Sequence, residues 1–160
     1  MTVLQLGIIA VFLAGLFGQI VVLPTTASDE VAQFPPYEPY AVPYVTVAII
    51  GVICVQIALV AMWMLLGLVR HDALFSPRAF RWVDLIIGCS AACTVLAAGV
   101  TVHLLVADIP SPSDGMELIG AFGAAALGTG AGVAFIMLMV IMRGLLRKAT
   151  QLQTEMAEVV

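Results

Sequence analysis

Four uninterrupted apolar stretches, at about 3–23, 45–69, 82–106 and 118–141, decide what this chain can fold into. Each supplies the ~20 apolar residues needed to cross the ~30 Å hydrocarbon layer of a bilayer. None carries a charge in its central portion. In hydrocarbon no water can satisfy a bare backbone amide, so each stretch must pair its own N–H and C=O groups, and a helix does that within one segment. The expected fold is an all-α integral membrane protein with four transmembrane helices in an up-down-up-down bundle. It forms one domain over 1–160, with a helical tail over 142–160. Composition agrees: 10% of the 160 residues are charged and 62% are hydrophobic, against about 25% and 45–50% in soluble domains. Mean hydropathy is +1.15.

The charges separate by sign. The 24–44 segment holds Asp29, Glu30 and Glu38, and the 107–117 segment holds Asp108, Asp114 and Glu117, with no Lys or Arg in either. All six basic residues lie elsewhere: Arg70, Arg78 and Arg81 between spans two and three, and Arg143, Arg147 and Lys148 after span four. Short loops rich in Lys and Arg stay on the cytoplasmic side. Both termini and the 70–81 loop are therefore expected to be cytoplasmic (N-in/C-in). Six cations split between two segments make no dense basic face, so nucleic acid is excluded as a partner. Thr25-Thr26-Ala27 would suit signal cleavage. However, the chain start lacks Lys and Arg, and the apolar stretch is longer than the usual ~7–15 residues. Span one is expected to be retained.

Five prolines (Pro24, Pro35, Pro36, Pro39 and Pro43) crowd the first acidic segment. Proline removes a helical donor and forbids a continuous helix here, so 24–44 reads as a stiff cap with its tyrosines at the headgroup boundary, or as a lid over an outward-opening cavity. In the basic loop, Ser76 suits an N-cap and Pro77 the first helical position. Phe75 and Phe80 have the spacing of a hydrophobic staple. Helix three is thus predicted to begin at Pro77. After Ile141 the helix should continue, with Leu145, Ala149, Leu152, Met156 and Val159 on one face. Phe75, Arg78, Arg143, Arg147, Lys148, Leu152 and Met156 are the candidate docking residues for a partner.

Polar residues inside the spans are the other candidates, because each is costly in lipid. Asp84 is the one carboxylate within a span, and it reads as the ion partner of Arg81 or Arg78 or as a proton or ion site. Gln56 and Thr94 fall near mid-span and are expected to hydrogen-bond a neighbouring helix. His103, near the outer end of span three, is a hydrogen-bonded imidazole or a pH-responsive group. Cys89 and Cys93 share a face, but His103 lies ~21 Å from Cys89 along the axis, so no shared metal site is expected. Cys54, on another helix, reads with them as a packing residue. Gly120, Ala124, Gly128 and Gly132 form a small-residue seam on span four, for packing within the bundle or against a second copy.

The four-span layout, the Phe75-Ser76-Pro77 helix start after a basic loop, and the closing Ala149-Thr150-Gln151-Leu152-Gln153-Thr154-Glu155 stretch resemble a family of small bacterial membrane proteins known only as a domain of unknown function. Its members are often encoded beside a small helix-turn-helix regulator. The resemblance covers nearly the whole chain and implies a bacterial plasma-membrane location without implying chemistry. No H-E-x-x-H, G-x-S-x-G or phosphate-cradling glycine loop is present, so neither an enzyme nor a cofactor is expected. The expected function is a regulatory, sensory or accessory membrane subunit that binds a cytoplasmic or membrane partner. The alternative is a small transporter or channel with an uncharged polar pathway through Gln56, Thr94 and Thr129.

Overall fold

The computed structural model describes residues 2–70, 77–110 and 115–158. Among these, only Phe34, 107–110 and Gly115 lie outside helices, and there is no strand. Helix α1 (Thr2–Phe17) runs through a π-turn (Gly18–Val22) into α2 (Leu23–Gln33). A 3-10 turn (Pro35–Tyr37) leads into α3 (Glu38–Arg70), followed by α4 (Pro77–Val106) and α5 (Met116–Glu158). Four runs, Val3–Gln33, Pro35–Val69, Arg78–Val106 and Met116–Leu152, are long and apolar enough to cross a membrane. The protein is a multi-pass, all-helical membrane protein. Helix α4 begins at Pro77 as its sequence requires, while Phe75 and Ser76 lie outside the described residues.

The proline-rich segment is no continuous helix, as its prolines require, but it is helical on both sides of a single break. The π-turn is the reason on the first side. Leu23 donates its N–H to Gly18 O, five residues back, and this wider turn accommodates Pro24, whose ring would otherwise strike the carbonyl of Ile20. Helix α2 then continues to Gln33. The break falls at Phe34, with φ −138° and ψ 89°, because the residue before a proline is pushed out of the helical region. Pro39 sits in the first turn of α3, where no donor is missed, and only Pro43 lies inside the helix. Prolines at helix starts are cheap, so their number overstated the break. At the other acidic connection, Gly115 has φ +76°, a left-handed conformation suited to glycine. Its carbonyl accepts the N–H of Ile119 and opens α5.

The helices pack in chain order. The most extensive contacts join α4 to α5 and α3 to α4, while α1 and α2 lie more lightly on α3. Pairs across each contact show alternating direction. Gly15 faces Gln56 and the Gln19 amide reaches Ile49 O between the first span and α3. Cys93 reaches Gly51 O and Tyr44 meets His103 between α3 and α4. Asp84 meets Arg143, Thr94 meets Gly132 and Thr101 meets Thr129 between α4 and α5. Few side chains are buried, among them Ile8, Ala61, Ala79, Ile86 and Cys89. Lipid tails are as apolar as leucine, so burying large side chains gains little and close backbone approach matters more.

Gly132 is the clearest such approach. A Cβ there would overlap Thr94 Oγ1 and lie 3.2 Å from Thr94 Cβ. The remainder of the small-residue seam differs: at Gly120 and Gly128 a Cβ would meet nothing within 4 Å, and Ala124 is exposed. The α4–α5 contact inside the chain thus uses one member of the seam. Gly132→Ala is expected to destabilise the protein by about 1–3 kcal/mol, the usual cost of overpacking. Gly120→Ala and Gly128→Ala should be close to neutral. Thermal denaturation of the detergent-purified variants, followed by size-exclusion chromatography, measures the difference.

Candidate functional site

Each polar residue singled out in the spans belongs to one of three levels. At the basic end, Asp84 on the first turns of α4 faces α5 about two thirds of the way along its length. Arg143 Nε lies 2.7 Å from Asp84 Oδ1 and Nη2 donates to Oδ2 at 2.9 Å, a bidentate pair. Arg81 and Arg78 were the expected partners, but both are exposed and neither makes this contact. The antiparallel packing of α5 brings a guanidinium directly opposite the carboxylate. A flat fork that matches both oxygens outcompetes a same-helix neighbour. The two side chains are 48% and 45% exposed, so the pair pins helix register more than it adds stability.

The middle level holds Gln56 and Thr94, both buried. Thr94 was expected to bond across to another helix. Its hydroxyl instead donates to Ser90 O on its own helix at 2.8 Å. Ser90, Thr101 and Thr129 do the same to carbonyls four residues back. Such back-bonding satisfies a hydroxyl locally in lipid, leaving Thr94 to act by shape against Gly132. Gln56 faces the first span: a Cβ on Gly15 would lie 3.3 Å from its Nε2. That Nε2 is buried without a hydrogen-bond partner among the described residues. Gln56, Thr94 and Thr129 therefore meet α1, α5 and α4 respectively.

Cys54, Cys89 and Cys93 do come together. They line a mostly apolar cavity of about 490 Å³ between α3, α4 and α5, with Ser90, Thr94 and Phe135. All three are free thiols. No Lys, Arg or His lines this cavity, so the electropositive setting that activates a thiol is missing. Among the described residues no His, Cys, Asp and Glu grouping could hold a metal.

At the acidic end, His103 leaves its own helix to meet α3. Its Nδ1 and the Tyr44 hydroxyl hydrogen-bond at 2.8 Å. The phenol donates when Nδ1 is unprotonated, and the imidazole donates in the other tautomer. Tyr44 and Tyr40 present their rings to the imidazole edge-on, at 5.6 and 6.4 Å between centroids. The sequence reading places the tyrosines of 24–44 at the headgroup boundary and does not bring them to His103. In a helix, Tyr37, Tyr40 and Tyr44 share a face, and that spacing was the available signal.

The docking candidates divide. Arg143 is engaged by Asp84, while Arg147, Lys148 and Leu152 are exposed on α5. Met156 lies on the same helix, its side chain outside the described residues, as is all of Phe75.

A family model described as "Protein of unknown function (DUF2975)" matches residues 25–160. The chain belongs to the DUF2975 family. This confirms the resemblance read from the span layout, the Pro77 helix start and the closing stretch. The matched region starts inside α2 and takes in α3, α4 and α5, hence all three α4–α5 pairs and the Tyr44–His103 contact. Only the first span's packing partners, Gly15 and Gln19, fall before it. DUF2975 carries no stated function, so membership adds no chemistry. Comparison with curated proteins and with solved structures finds no match.

The register-pinning role of the ion pair is testable in a double-mutant cycle. Asp84→Asn and Arg143→Gln should each lower stability, and the double variant should lose less than their sum. The coupling should be about 0.2–1 kcal/mol, the range for exposed pairs. Additive losses in thermal denaturation would remove the pair from the account.

Proposed function

We propose that this DUF2975 protein is a non-enzymatic regulatory, sensory or accessory subunit of a bacterial plasma membrane, with both termini in the cytoplasm. It engages a cytoplasmic or membrane protein through the projecting end of α5. One observation carries the reading. Helix α5 is 43 residues long, about 64 Å at 1.5 Å per residue, and a bilayer core takes up only ~30 Å of it. On this reading the part of the helix from Arg143 to Glu158 projects beyond the hydrocarbon.

The projecting part has the pattern of a protein contact. Leu145 and Leu152 are each 62% exposed, and Ala149 between them is exposed as well. Arg147 and Lys148 flank this stripe and are free to meet acidic groups of a partner or lipid phosphates. A helix laid into an apolar groove uses this spacing of anchors. The open ridge of Gly120, Ala124 and Gly128 suits close approach by a further transmembrane helix, from a partner or from a second copy. The placement of the six cations supports the orientation.

Two measurements test the reading. In a background with Cys54, Cys89 and Cys93 replaced by Ala, Arg147→Cys should react with a membrane-impermeant maleimide only after permeabilisation, and Thr26→Cys in intact cells. The reverse pattern would sink the orientation. A photo-crosslinking residue placed at Leu145 or Leu152 should yield a discrete protein adduct in cells, whereas one at Gln151 should not. Lipid adducts alone, or equal adducts at all three positions, would overturn the partner contact.

A further inference from the structure

Helix α5 carries two neighbouring rows of residues at alternating three- and four-residue steps, and among the described residues only one row is covered. The covered row includes Thr129, Gly132 and Arg143, which meet Thr101, Thr94 and Asp84 of α4. The second row lies one residue to the side. In the projecting end of the helix it consists of Leu145, Ala149 and Leu152, the exposed apolar stripe. Followed back in the same steps, it passes through Met142, Leu138 and Phe135. It then becomes small, at Ala131, Gly128, Ala124 and Ala121. Every one of these residues is exposed, the large ones between 45% and 62%. No charged residue falls on the row, since Arg143, Arg147 and Lys148 all lie beside it. In its middle, Gly128, Ala131 and Phe135 form one wall of the cavity between α3, α4 and α5, so the row borders open space.

Steps of three and four average 3.5 residues, the repeat by which two helices stay in contact as they wind around each other. From Ala121 to Leu152 the row is about 46 Å long, against a hydrocarbon layer of ~30 Å. Acyl chains therefore cannot cover all of it, whereas a second helix that leaves the bilayer in the same direction can. A second copy of this chain presents such a helix with an identical row, and it is parallel because both copies insert the same way. In a parallel pair each residue of the row meets its equivalent. Alanine and glycine in one half let the backbones approach closely. Leu138, Leu145 and Leu152, seven residues apart, stack in the other half, as in two-stranded parallel coiled coils with leucine at one of the two core positions. The centre of such a contact holds no charge, and depletion of charge marks the core of specific interfaces. A strip ~46 Å long on helices ~10–12 Å wide covers on the order of 1,000 Å² over two copies, the area at which specific association begins. We propose that this protein is a parallel homodimer joined along the second row of α5. The proposal rests on reading the projecting end as a protein contact, and it names the partner as a second copy of the chain.

The test uses the full chain, purified and reconstituted in lipid vesicles so that no other protein is present. In the background with Cys54, Cys89 and Cys93 replaced by Ala, single cysteines are placed at Leu145, Ala149 and Leu152 on the row and at Arg147 and Gln151 off it. Oxidation should give disulfide-linked dimers at least fivefold faster on the row than off it, and a tenfold excess of lipid should leave that pattern unchanged. Light scattering on the unmodified chain in a mild detergent should give twice the 16.8 kDa of one chain. Leu145→Glu/Leu152→Glu should raise the dissociation constant at least tenfold, while Gln151→Glu leaves it unchanged. Circular dichroism verifies folding. Gly128→Leu serves if the double variant does not fold, since a Cβ at Gly128 meets nothing within 4 Å inside the chain. Monomeric protein in detergent and vesicles, equal oxidation on and off the row, or an unshifted dissociation constant in the folded variants overturns the dimer. The crosslinks in cells at Leu145 and Leu152 then judge the wider reading separately: adducts with a different protein keep it, and their absence ends it as well.

Discussion

The need to pair every backbone amide where water is absent governs this molecule. It makes each span a helix, and it reaches into the side chains. Ser90, Thr94, Thr101 and Thr129 each return their hydroxyl to a carbonyl on their own helix. These residues therefore add little polar adhesion between helices. What joins α4 to α5 is instead a fit of shapes at Thr94 and Gly132, bracketed by the Asp84–Arg143 pair at one end and the Thr101–Thr129 contact at the other.

Among the buried side chains of the described residues, the same constraint sets apart one group that is not satisfied. Gln56 Nε2 is buried beside Gly15 without a partner, and an orphaned amide in a low-dielectric setting costs about 1–3 kcal/mol. The contact of the first span with α3 thus combines a close approach with an unpaired donor. It is a lighter contact than either α3–α4 or α4–α5. The firm part of the molecule is the α3–α4–α5 unit, and the first span is its looser flank.

Much of this was legible in the sequence, and the gaps have definite causes. Span number and the Pro77 helix start follow from local rules of length, hydropathy and proline placement, and the structure reproduces them. The partner of Asp84 was not legible. Arg81 was adjacent on paper, whereas Arg143 is 59 residues away and arrives only through packing. Tyr44 and His103 are likewise 59 residues apart. The helical nature of the proline-rich segment was hidden for another reason: a π-turn at Gly18–Val22 leaves little trace in residue type, yet it is what lets α2 pass Pro24. The register that brings Tyr40 and Tyr44 to His103 depends on that helical continuation.

The length of α5 has a mechanical consequence. A single rod of 43 residues carries both the Gly132 contact and the far tip at Glu158, with about 39 Å of helix between them. If the rod pivots by about 5° where Thr94 seats against Gly132, its tip sweeps through roughly 3 Å. A displacement too small to unseat the fulcrum is in this way enlarged at the end of the lever, with no hinge required along the way.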